Sequence, residues 1–144
     1  MDVRTSLERV LRPRTIAYAH CDVPCGVYDP AQARIEAESV RAIQERYQKA
    51  EQMKSAGESV EDYRTRCLVI KEQRADLVKH HLWVLWSDYF KPEHAEQHPQ
   101  LHQLFWTATK EAGLAKKNQD PAQGQKLLEA IAEISTIFWE TKKA

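Results

Sequence analysis

Glycine and proline are scarce, with four and six in 144 residues, too few for a chain built of turns and short strands. Cysteine is scarcer still. Three cannot all pair with one another, which argues against a disulfide scaffold. Neither sign of charge prevails: 21 Lys and Arg balance 21 Asp and Glu, so the total carries no nucleic-acid or anionic-membrane footprint. Uncharged apolar runs fall far short of the ~20 residues that a membrane span requires. A chain of this size buries about two-thirds of its unfolded surface and needs no disulfides to fold. These absences leave a helix-rich domain, expected to be soluble and intracellular.

What charge there is lies unevenly. Residues 1–19 carry four positive groups (Arg4, Arg9, Arg12, Arg14) against two negative ones (Asp2, Glu8), a net +2. The segment ends in Ala17-Tyr18-Ala19, a small-x-small pattern like that of a secretory cleavage site. A secretory signal needs an uninterrupted apolar stretch of about 7–15 residues before that site. Here Glu8, Arg9, Arg12, Pro13 and Arg14 interrupt it. The segment reads as a non-secretory leader or a mobile arm.

Beyond a short block from His20 to Asp29, helix-forming sequence runs almost to the end. Asp29-Pro30 supplies a side-chain acceptor and a first-turn proline, predicting a helix from Pro30 to about Ala56 that stops at Gly57. Ser59 and Asp62 form a loose capping box for a second helix reaching about Phe90, with Pro92 ending it. A third helix is expected from Glu93 to Leu114. Asp120-Pro121 repeats the start signal for a fourth, ending near Thr141. Four helices with short connections predict an all-α, antiparallel up-down four-helix bundle.

The apolar stripes contain two charges. Glu36, Val40, Ile43 and Tyr47 share a face of the first helix, and Cys67, Ile70, Arg74, Leu77, His81 and Val84 share a face of the second. Buried charges are costly unless paired and hydrogen-bonded. Glu36 and Arg74 therefore either sit at the stripe margins and reach water or form a shared polar site between the two helices.

His20-Cys21 with Cys25 is the densest cluster of metal-ligating residues. C-x3-C alone is a weak signal: the thiols could bind a metal, form a local disulfide, or do neither. A zinc site would want two further Cys or His at defined spacing, and a redox dithiol is more usually C-x-x-C. Cleavage after Ala19 would change the chemistry. His20 would gain a free α-amine with pKa about 8. That amine, the first amide nitrogen and the two thiolates make a planar N2S2 set, which favours Ni(II) or Cu(II) over tetrahedral zinc. The His20 imidazole stays free to approach axially.

The run His20-Cys21-Asp22-Val23-Pro24-Cys25-Gly26-Val27-Tyr28-Asp29-Pro30 resembles the nickel hook that opens mature nickel superoxide dismutases. The similarity continues through AQARIEAESV (31–40), VIKEQRA (69–75), KHH (79–81), VLWSDYFKP (84–92), LHQL (101–104) and IFWETKKA (137–144). It covers essentially all of residues 20–144, with Val23 where leucine is more usual and a divergent stretch from about Lys49 to Thr65.

The resemblance implies a leader (1–19) removed by a peptidase, a nickel-binding hook (20–29) and a four-helix bundle (30–144). It implies that His20, Cys21 and Cys25 bind one nickel ion per subunit. Glu36 and Arg74 would orient the His20 imidazole, and Tyr28 and Tyr89 would flank the open face, with Asp22 nearby. The implied activity is conversion of superoxide to O2 and H2O2 through a Ni(II)/Ni(III) cycle, in a cytoplasmic homohexamer that engages neither nucleic acid nor membrane. The rival reading is a non-enzymatic helical protein that carries or senses nickel or copper.

Other residues invite a functional reading that their context weakens. His94, His98 and His102 recur at helical spacing that can bind zinc, but no carboxylate completes a site. Their expected place is a solvated face or a subunit contact. His80 and His81 point about 100° apart on a helix. Cys67 is expected to be a core thiol, and Trp83, Trp86, Trp106 and Trp139 core or interface aromatics. Lys142 and Lys143 complement the last helix dipole.

Overall fold

The computed structural model describes residues 26–143. Their regular structure is helical: α1 (Ala31–Gln48), a single turn α2 (Ala50–Met53), α3 (Val60–Val84), a π-helical turn (Leu85–Tyr89), α4 (Pro92–Gln97), α5 (Leu101–Lys117) and α6 (Pro121–Thr141). The four long helices form a ring in which α1 packs on α3, α3 on α5, α5 on α6 and α6 on α1. Contacts at both ends close the ring antiparallel. Lys142, just after α6, reaches Gly26, just before α1. Gln44 and Gln48, near the end of α1, donate to the carbonyls of Asn118 and Gln119, just before α6. The expected four-helix bundle is the architecture observed.

Side-chain acceptors set three helix starts. Asp29 Oδ1 accepts from the Ala31 amide at 2.7 Å, Ser59 Oγ from Asp62 at 3.0 Å, and Asp120 Oδ1 from Ala122 at 2.9 Å. Each satisfies an N–H that the first turn leaves without an intrahelical partner. The expected first helix is shorter: it ends at Gln48, resumes for the one turn of α2, and the chain reverses at Gly57, whose φ of +82° suits glycine. The expected third helix is broken at His98, because Pro99 disfavours helical backbone in the residue before it. His94, His98 and His102 therefore share no continuous helix, and His102 packs on Trp86 instead.

The core lies one register away from the expected stripes. α3 buries Cys67, Lys71, Ala75, Val78 and Leu82 while Ile70 and Leu77 are exposed, and α1 buries Ala33, Ala37, Val40 and Gln44. Alanine lines the facing surfaces, and Leu82, Leu127, Ile131, Ile134 and Phe138 fill the space between them. Small side chains let helices approach closely but add little to an apolar pattern, so the larger Ile70 and Leu77 misdirect a reading by periodicity. Gly124 marks the tightest approach, where a Cβ would fall 2.8 Å from Arg41 Cα. Three of the four tryptophans (Trp83, Trp106 and Trp139) are exposed rather than in the core. Cys67 is buried with Ala50 and Tyr63 in a satellite cluster, as a core thiol should be.

The charge that enters the core is Lys71, at 1% exposure. Its ammonium donates to Asn118 O at 2.9 Å and Gln119 Oε1 at 2.7 Å, tying α3 to the connection between α5 and α6. Both acceptors are neutral, and burial pushes the lysine below its ordinary pKa of 10.5. The unfolded chain thus binds this proton more tightly than the folded one. Stability from this group rises with pH between the lowered pKa and 10.5. Urea unfolding across that window should show the slope in the wild type and not in Lys71→Met. Lys71→Ala, which leaves a cavity, should cost about 2–5 kcal/mol.

Candidate metal centre

The candidate ligands His20, Cys21 and Cys25, with Asp22, lie outside the described residues, as does 1–19. Among the described residues no group of three His, Cys, Asp or Glu converges on a point that could hold a metal ion. What the described residues present is the end of the bundle at which that segment joins α1.

Tyr28 and Tyr89 come together there, with ring centroids 5.7 Å apart and ring planes at 54°. Tyr28 is fixed by the Asp29 cap two residues before α1. Tyr89 ends the π-helical turn, whose widened ring closes with Phe90 N–H donating to Leu85 O at 3.0 Å. Single π turns of this kind recur at functional sites. The Tyr89 ring packs on Phe138 at 4.4 Å, and its hydroxyl shares a 2.8 Å hydrogen bond with Thr141 Oγ1 at the end of α6. The two tyrosines line a surface cavity of about 380 Å³ together with Gly26, Asp88, Lys91, His94, Thr141 and Lys142. The sequence flags the tyrosines only through the family resemblance. Thr141 carries no signal, because its proximity to Tyr89 depends on how α6 ends against the π turn.

Glu36 and Arg74 also meet. One guanidinium nitrogen, Nη1, donates to Glu36 Oε1 at 3.2 Å and to Oε2 at 3.1 Å, bridging α1 and α3. The carboxylate is 14% exposed and the guanidinium side chain 44%. Both alternatives posed by the sequence hold at once: the pair sits at the margin of the core, and it is shared between the two helices. His81 is a further neighbour. Burial and the adjacent His80 push its pKa down, while the Glu36 carboxylate opposes them. Three orientable polar groups thus stand on one seam, and the half-buried carboxylate has lone pairs left to accept another donor.

This surroundings suits the donor set that precedes it. Residues 20–25 span at most roughly 20 Å, and Glu36 stands five residues into α1, roughly 8 Å along its axis. Thiolates with amine and amide nitrogens are donors that suit nickel.

A four-helix bundle with a tyrosine-lined cavity beside Gly26, which follows a His-Cys-x3-Cys sequence, defines a candidate metalloprotein. Comparison with known proteins makes this specific. The family model for nickel-containing superoxide dismutase matches residues 15–142. Superoxide dismutase [Ni] of Streptomyces coelicolor is 58% identical over 138 residues, 96% of this chain and 99% of the other. The enzyme of Streptomyces seoulensis matches equally well. Among solved structures, a native nickel superoxide dismutase at 1.30 Å superposes with a TM-score of 0.77 at 60% identity, covering 87% of this chain and all of the other. A structure with the nickel ligation of the oxidised state gives the same figures. The chain belongs to the nickel-containing superoxide dismutase family.

Proposed function

We propose that this chain is a nickel-dependent superoxide dismutase: two superoxide ions and two protons become one O2 and one H2O2. The observation that carries the reading is the Tyr28–Tyr89 cavity, lined also by Gly26, the residue that follows the donor segment in sequence; the Glu36–Arg74 pair between α1 and α3 supports it. His20, Cys21 and Cys25 would hold nickel, one ion per subunit, which supplies a one-electron Ni(II)/Ni(III) couple when bound. Glu36 would accept from the His20 ring and fix its orientation, and Arg74 holds that carboxylate in place by donating to both of its oxygens. Outer partners of this kind orient and tune metal ligands. Tyr28 and Tyr89 narrow the approach to small molecules. Lys91 and Lys142 outnumber Asp88 in the cavity lining, a positive balance that favours an anionic substrate. A carrier or sensor would need neither the gate nor the orienting pair.

The domain reading follows: residues 1–19 are a leader removed by a peptidase, 20–29 the hook, and 30–144 the bundle. Its support is that the solved nickel superoxide dismutase is matched along its whole length by 87% of this chain, the share that residues 20–144 make up. Exposed Trp83, Trp106, Trp139 and Leu114 offer apolar surface for the contacts between subunits that a homohexamer needs. No helix among the described residues is long and apolar enough to cross a membrane, and a cytoplasmic location accords with the non-secretory character of the leader.

The experiment compares leader-bearing protein with protein beginning at His20, each supplied with nickel. With the leader attached, the His20 nitrogen is a peptide amide rather than an amine. The full chain should be inactive, and the trimmed chain should consume superoxide and show a nickel EPR signal. Full activity of the uncleaved chain would contradict the reading.

A further inference from the structure

Lys142 follows α6 and is the first of two lysines that a helix-dipole argument treats as equivalent. The structure separates them. The Lys142 ammonium lies 5.1 Å from the centroid of the Tyr89 ring and 5.6 Å from that of Phe138, within cation–π range of both. It also donates to the carbonyl of Gly26 at 3.3 Å. Its backbone N–H donates to Phe138 O, so the residue that carries the charge is itself fixed to the last turn of α6. Thr141, the residue before it, holds the Tyr89 hydroxyl. The end of α6 therefore touches both sides of the cavity: Tyr89 on the bundle side, and Gly26, adjacent in sequence to Cys25, on the side of the donor segment.

We infer that Lys142 is a positioning residue whose ammonium ties the Gly26 carbonyl, and with it the root of the His20–Cys25 segment, to the aromatic surface of Tyr89 and Phe138. The inference rests on the assignment of nickel to that segment. A Gly26 peptide with φ +67° has no side chain to pack, so its orientation depends on its backbone partners, and Lys142 supplies one from 116 residues away. Tyr28 lies two residues on and contacts Tyr89, so the same tie holds the two tyrosines at their spacing.

The test uses the chain beginning at His20 with Lys142→Met, which keeps an apolar stem but removes the donor and the charge. Lys142→Arg keeps both, and Lys143→Met is the control on the same tail. In nickel-loaded protein, Lys142→Met should release nickel to a chelator about three- to tenfold faster, the scale of one charge-assisted hydrogen bond at a partly exposed site. Lys142→Arg should restore most of the retention, and Lys143→Met should match the wild type. In metal-free protein, the heteronuclear NOE of the Val27 and Tyr28 amides should fall in Lys142→Met, with helicity unchanged. Wild-type nickel release together with wild-type NOE values in Lys142→Met would overturn the inference. A wild-type chain that binds no nickel would instead defeat the metal assignment, and the NOE comparison would still decide whether the tie exists.

Discussion

Replacing Cys21 or Cys25 with serine should abolish superoxide consumption by the trimmed protein while leaving the bundle folded. Each change removes one of two anionic sulfur donors and substitutes a hydroxyl that stays protonated at neutral pH. Cys67, the cysteine among the described residues, cannot take its place: it is buried between α1 and α3, and burial pushes its thiol pKa up. The loss should exceed the about 10–100-fold typical of outer-shell changes at metal sites. The fold should survive because, among the described residues, the buried core runs from Ala33 to Phe138, beyond the two cysteines in sequence. Circular dichroism and thermal unfolding check the fold, and stopped-flow superoxide decay checks the activity. Cys67→Ser is the control. Placing a hydroxyl in that apolar cluster should cost about 1–3 kcal/mol of stability with activity retained. A Cys21→Ser or Cys25→Ser protein of near-normal activity would refute the ligand assignment.

Glu36→Ala should uncouple nickel binding from turnover. The carboxylate is not among the proposed donors, so nickel should stay bound, but the His20 imidazole loses the acceptor that orients it. Activity should fall about 10–100-fold, much further than nickel affinity does. Arg74→Ala acts on the same carboxylate by removing its one observed donor. Because Arg74 is 44% exposed and Glu36 14%, water compensates in part. The stability cost should be about 1–2 kcal/mol rather than the larger penalty of a fully buried broken pair. Metal analysis alongside steady-state rates separates the effects. Equal losses of nickel and activity in Glu36→Ala would contradict an orienting role.

The fold was legible where local chemistry governs. Asp29, Ser59 and Asp120 announce helix starts that the structure keeps, because a side-chain acceptor two or three residues before an open amide works in any context. The core face was not legible from apolar spacing. Alanines and Gln44 face inward while Ile70, Leu77 and Trp83 face outward, so the size of an apolar side chain is a poor guide to which face is buried. Glu36 and Arg74 stand out as charges in stripes that prove to be margins of the core, and the two do pair across α1 and α3. Lys71, the charge actually buried, sat unremarked in the register beside them. Its partners, Asn118 and Gln119, are 47 and 48 residues away, and no local pattern encodes that meeting. The cavity shows the same division. Tyr28 and Tyr89 are visible through the family motif, whereas Thr141 and Lys142 join them only because the ring of helices closes antiparallel.

The most direct test is the metal content and superoxide decay of one preparation whose first residue is shown to be His20. The account predicts one nickel per chain and superoxide consumption that disappears when the nickel is removed and returns when it is restored. Nickel bound at that stoichiometry with no dismutation, or dismutation that persists in nickel-free protein, would contradict it.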